Sequence, residues 1–179
     1  ANRSQYGTFD KKRSSDAGFL RLDWQINNKN LFTIRNNFTR DVNKLGLGDN
    51  TTINLYESFG NDYNIDNSFL ASLRTSISPK LTNELKLQHL YTFQDSAPGD
   101  DLPKSNIPRA IVERVASTLS DGSQRTTNIQ IGGHRFAQEK FRNNVFQLVN
   151  NLYYNSEKVE YTFGADLMMT NSYSVYGSE

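Results

Sequence analysis

Apolar and polar residues alternate with a period of two in three stretches of this chain. Between Gly18 and Ile26, Leu20, Leu22, Trp24 and Ile26 fall on one side, and Arg21, Asp23 and Gln25 on the other. Successive side chains of a β-strand point to opposite faces, so the pattern predicts a strand with one apolar and one polar surface. The polar turn Asn27–Asn30 leads into a second such strand, which sets Phe32, Ile34 and Phe38 against Thr33, Arg35, Asn37 and Thr39. The pattern recurs around Ser78–Thr82: Phe69, Ala71, Leu73 and Ile77 precede the turn, and Leu85, Leu87, Tyr91 and Phe93 follow it. A third hairpin joins residues 145–154 to 159–170 through Asn155–Lys158, and Val159, Tyr161, Phe163, Ala165, Leu167 and Met169 share one side of its second strand.

The connections separate two kinds of barrel end. Turns within the hairpins are short, whereas residues 41–67 and 94–144 form long polar links. Transmembrane barrels combine short periplasmic turns with long extracellular loops. A band about 25 Å tall crossed at about 40° takes roughly ten residues per strand, close to the length of each alternating run. The expected fold is therefore all-β: a segment of an antiparallel up-and-down transmembrane β-barrel, with six membrane strands in hairpins at about 18–40, 68–93 and 145–170. Trp24, Phe32, Tyr153, Tyr154 and Tyr161 fall near the tight turns, and Phe38, Tyr91 and Phe93 toward the other ends. These positions suit two interfacial girdles, although aromatic residues also favour strands in general.

Composition narrows this picture only a little. A formal charge of +1 and the absence of cysteine give no basic field for nucleic acid and no disulfide or thiolate site. Mean hydropathy is −0.68, and no stretch approaches the roughly 20 apolar residues of a membrane helix. A barrel strand needs only alternate apolar residues, so low hydropathy is compatible with a membrane.

Asn36, His89 and Asn150 fall on the expected lipid face near mid-membrane. A bulge that redirects them, or a shifted register, is the favoured explanation; a protein contact is the alternative. Residues 107–119 and 126–131 flank Ser120-Asp121-Gly122-Ser123, a strong hairpin signal. As membrane strands they would set Arg109 and Glu113, or Arg114, against lipid. An extracellular hairpin is expected instead, with a short helix over Ile111–Leu119 as the alternative.

Catalytic and metal-binding patterns are weak. His89 and His134 have no ligand spacing around them, and no Gly-x-Ser-x-Gly elbow occurs. Asp95, Asp100 and Asp101 suggest a solvated acidic loop more than a Ca²⁺ site. No enzyme activity and no cofactor are expected. The polar faces carry Arg21, Asp23, Arg35, Arg74, Glu84, Lys86, Glu160 and Asp166, the candidate lumen-facing residues. In a barrel these would pair across strands or contact a plug, with only some of them reaching a substrate.

Three segments carry a resemblance. GFLRLDWQINNKNLFTIRNNFT (Gly18–Thr39), SISPKLTNELKL (Ser76–Leu87) and the run from Ile131 to Asp166 that ends in TFGAD resemble barrel hairpins of TonB-dependent outer-membrane receptors of the Oar-like type, typical of Bacteroidetes. The resemblance implies residues 1–179 as part of a plugged barrel of about 22 strands. The plug, the N-terminal domains and the TonB box would lie outside this sequence. It implies import of a ligand captured by extracellular loops, and as partners outer-membrane lipid, the rest of the barrel and plug, and the TonB complex. A surface lipoprotein is a further candidate partner. Two rival readings stand beside it: a passive channel or other barrel, and a soluble adhesin-like β-sheet protein.

Overall fold

The computed structural model describes residues 4–100, 102 and 108–177. Six long strands form one antiparallel sheet: β1 (Lys12–Asn27), β2 (Asn30–Leu47), β4 (Gly60–Ser78), β5 (Leu81–Pro98), β8 (Glu139–Asn155) and β9 (Glu160–Val175), in the order β1-β2-β4-β5-β8-β9. β3 (Ile53–Asn54), β6 (Arg109–Thr118) and β7 (Gln124–Gly132) make a small separate sheet in the order β3-β7-β6. β1 and β9 each pair on one side only, so the large sheet is an open section and not a closed barrel.

The strands run 16–19 residues, well beyond the stretches of alternation. The links expected at 41–67 and 94–144 shrink accordingly, because Asp41–Leu47, Gly60–Asn67 and Gln94–Pro98 continue the ladders. Their residues are too polar to alternate visibly, yet backbone pairing needs no apolar face. Two of the tight turns hold only Asn28-Lys29 and Pro79-Lys80 between their strands. Asn27 organises the first, its Oδ1 accepting the Lys29 and Asn30 amides at 2.9 and 3.0 Å. Pro79 removes no ladder hydrogen bond because it sits in the turn.

Residues paired directly across an antiparallel ladder share a face. One unbroken row crosses the whole sheet: Leu22, Ile34, Ala71, Leu87, Leu148 and Leu167 are successive cross-strand partners. It contains no polar side chain. This apolar face has no second layer over it: Leu20, Leu22, Phe163, Leu167 and Met169 are 56–68 % exposed. Among the described residues only Leu45, Pro98 and Ala137 are buried apolar side chains, and all three lie at the loop end. A sandwich with a soluble core is therefore not what these strands build.

The pairing is continuous through Asn36, His89 and Asn150, which corrects the expected bulge or register shift. Each polar side chain instead finds a diagonal partner on the same face. Asn36 and Asn67 exchange amide bonds at 3.1 and 3.3 Å, and Asn83 and Asn150 at 3.1 and 3.2 Å. His89 Nε2 lies 3.4 Å from Asn144 Oδ1, and its ring stacks on Phe146 at 4.4 Å. Pairing satisfies groups that would otherwise face an apolar medium alone.

β6 and β7 form a hairpin around Asp121-Gly122, and β6 replaces the alternative short helix; Ile107 lies outside the described residues. Gly122 takes φ +82°, a left-handed conformation natural to glycine, and Asp121 Oδ1 accepts from Ser123 N and Oγ at 2.9 and 2.6 Å. A register shift between Val112 and Val115 breaks the alternation there, with Arg114 at φ 55°.

Candidate functional site: the polar wall and the loop-side cap

The second face of the large sheet gathers all eight charged candidates, since each lies out of phase with the apolar rows. Arg21 stands directly opposite Arg35, and Arg74 opposite Glu84. Lys86 and Asp166 flank Val149 in one cross-strand row, and Glu160 pairs with Asn155 beside a tight turn.

Their ion pairs differ from the expected cross-strand pattern. Arg21 bonds Asp23 at 2.8 Å and Lys86 bonds Glu84 at 2.8 Å, each within one strand. Residues i and i+2 share a face about 7 Å apart, a gap that a long basic side chain spans. Thr33 Oγ1 donates to Asp23 at 2.6 Å, Tyr153 Oη to Glu84 at 3.2 Å and Gln147 Nε2 to Asp166 at 2.7 Å. Of these three neutral partners only Thr33 was expected on the polar side; Tyr153, expected in an interfacial girdle, instead faces the polar wall because its register sets it out of phase with the apolar rows. Among the described residues Arg35 and Arg74 make no ion pair, which leaves two free guanidinium groups on the wall. Planar guanidinium forks suit carboxylate or phosphate acceptors.

At the loop end the links fold into a polar knot around Gln130, which is fully buried. Its carbonyl accepts Leu55 N at 3.2 Å and Ser58 Oγ at 2.9 Å. Its side chain accepts Arg109 at 3.3 Å and donates to the Gly133 carbonyl at 3.4 Å. Glu57 Oε1 accepts the Gly132 amide at 3.0 Å. Gly132 has φ +81°, and a Cβ there would collide with the Pro108 carbonyl. Two sequence-distant segments, Leu55–Ser58 and Arg109, thus converge on one residue, which no local motif announces.

His134 sits at the edge of this knot, 7 % exposed, with Nδ1 accepting the Phe136 amide at 3.3 Å. Burial, reinforced by Arg135 and Arg109, holds its pKa below the usual imidazole range, and Asp49 partly opposes this. Asp49 lies below the usual carboxylate range chiefly because Thr51 Oγ1 and N donate to it at 2.6 and 2.8 Å. Of the acidic run near residue 100, Asp95 faces Lys140 at 3.4 Å and Asp100 faces Lys44 at 2.8 Å, while Asp101 lies outside the described residues. The two carboxylates are thereby matched to different cations.

What the arrangement can do is hold a sheet upright with one face apolar and one wettable, and carry a stiffened cap at one end. A family model described as "Outer membrane beta barrel domain" matches residues 1–179. No curated protein and no solved structure matches the chain.

Proposed function

Because the chain belongs to the outer membrane beta barrel domain family, we propose that its sheet is one section of the wall of an active, TonB-dependent importer. The family locates the protein in the bacterial outer membrane. The observation that carries the proposal is the pair of one-sided edges, β1 and β9, on a sheet whose outer face is apolar. Unpaired backbone groups in hydrocarbon cost several kcal/mol each, so further strands cover these edges and make the wall larger than six strands.

In this reading the polar face lines the lumen, the tight turns are periplasmic and the cap is extracellular. Arg35 and Arg74 are the wall groups open to a plug or a passing ligand. Three segments resembling Oar-like receptors support active transport over a passive channel. Comparison of ligand accumulation in cells with and without TonB, and with the proton gradient collapsed, separates the two. Uptake that requires both is the expected result. Uptake that persists without either identifies a channel instead.

A further inference from the structure

One face of the small sheet is packed and the other is bare. On the packed side Gln130 is fully buried in the polar knot. On the other side Ile53, Ile129 and Val112 are successive cross-strand partners, a row of β-branched side chains across β3, β7 and β6. Ala110 and Ile131 make the next row on that face. Ile53, Val112 and Ile131 are 36–52 % exposed, so no second layer covers them. Single exposed apolar residues are ordinary, but a contiguous group marks an interaction surface. The small sheet belongs to the links at the loop end, outside the apolar band of the large sheet, so lipid does not account for it.

The row ends at an open strand edge. β6 pairs with β7 alone, and no strand of the described residues lies along its other side. Val112 closes the row there, and Ile111 beside it is exposed on the opposite face. A strand edge presents amide and carbonyl groups at strand spacing, which another extended backbone satisfies in series. A helix or a glycan could cover the apolar side chains but would not match that edge. The edge is also bounded. The register shifts between Val112 and Val115, Arg114 takes φ 55°, and its amide bonds the Asn128 side chain at 3.0 Å. Such a bulge, flanked by the charges of Glu113 and Arg114, interrupts the long flat edge that sheet-to-sheet pairing with a second copy requires. A short guest strand fits before it.

We propose that the β6 edge over Arg109–Val112 docks a short extended polypeptide segment with alternating apolar side chains. The guest becomes the fourth strand of the small sheet. One set of its side chains continues the row of Ile53, Ile129 and Val112, and its other set covers Ile111. Backbone pairing supplies affinity, and the apolar positions on either side of the edge supply the preference for alternation. The inference goes beyond TonB-dependent import and does not depend on it, because it concerns binding to the cap alone.

The test uses the purified full-length protein in neutral detergent. The probe is a short fluorescein-labelled peptide of alternating valine and threonine, capped by lysines and read by fluorescence anisotropy. Val112→Ser and Ile111→Ser are each expected to weaken binding by about 10-fold, the loss of one buried aliphatic contact. The same peptide methylated on alternate backbone nitrogens loses binding, because it keeps its side chains but not its strand pairing. Bound peptide adds hydrogen-exchange protection at residues 109–112, and Leu119→Ser, beside the hairpin turn, leaves binding unchanged. Retention of the compact, unheated gel mobility establishes that a variant is folded; Val112→Thr, which keeps the β-branched shape, serves if Val112→Ser is not. Absence of binding to the full-length protein, equal binding by parent and folded variants, or equal binding of the methylated peptide overturns the proposal. So does a concentration-dependent dimer that Val112→Ser abolishes, since a second copy would then hold the edge.

Discussion

Asn83 and Asn150 exchange two amide hydrogen bonds, at 3.1 and 3.2 Å, on a face otherwise built to meet hydrocarbon. Asn150 lies directly opposite Leu85, so the bond is diagonal and runs from Asn150 toward the tight-turn end. Asn36 and His89 lean the other way, toward Asn67 and Asn144 at the loop end. All three polar side chains thus turn away from the uninterrupted row of Leu22, Ile34, Ala71, Leu87, Leu148 and Leu167. In a membrane that row marks the midplane, and the amides shift their polarity toward the nearer interface.

Losing one member of such a pair leaves its partner half satisfied. Asn150→Leu is expected to cost about 1–3 kcal/mol in denaturant unfolding from lipid vesicles. The double variant Asn83→Leu, Asn150→Leu recovers much of this, because neither group is then stranded. Single costs that simply add would sink the pairing argument.

Charge on the outer face should be penalised by depth. Leu148→Arg, in the central row, is expected to cost about 2–4 kcal/mol, and Tyr173→Arg, beyond the apolar band, about 0–1 kcal/mol. Equal costs at the two sites in the same vesicle assay would remove the midplane assignment.

The chain contains no cysteine, so single cysteines report the two faces cleanly. In bilayers Leu87→Cys should resist a water-soluble maleimide while Ser72→Cys reacts, since neighbouring strands present these positions to opposite sides. Rapid labelling of Leu87→Cys in the folded protein would show that the apolar face is wet.

The cap should loosen in mild acid. The folded pKa of His134 is lowered by burial first and by Arg135 and Arg109 next, so the folded state favours the neutral ring. Its contribution is intact above the unfolded value of about 6.5 and is lost as pH falls below that toward the lower folded value. Protonating Nδ1 also removes the acceptor of the Phe136 amide. Hydrogen-exchange protection across residues 133–138, corrected for the slower intrinsic exchange in acid, is expected to fall from pH 8 to pH 5.5 in the parent and much less in His134→Gln. Indistinguishable pH profiles would exclude His134 as the cause.

The faces were legible early because a strand converts sequence phase directly into side. Leu20, Leu22 and Trp24 could only be together, and so could Arg21, Asp23 and Gln25. The strand ends were not legible: Asp16, Arg40 and Lys44 interrupt the apolar phase, so the pattern stops while the ladder continues. The eight charged candidates share one face of the sheet, as their phase implies, but their pairing did not follow from it. Arg21 lies opposite Arg35 yet bonds Asp23 beside it, a choice set by side-chain reach within one strand.

What the sequence alone determined is the period-two division into an apolar and a polar face, the three hairpins and the Asp121-Gly122 turn. These follow from local alternation and turn chemistry, which need no knowledge of neighbours. Only the tertiary structure decided the partners: Asn36 with Asn67, Asn83 with Asn150, and Gln130 with segments from Leu55 to Gly133. It also decided the ion pairs at the loop end, because register alone sets Asp16 opposite Arg40 and Asp95 opposite Lys140. A hydrogen bond between residues far apart in the chain depends on where two strands come into register, and no local pattern encodes that distance.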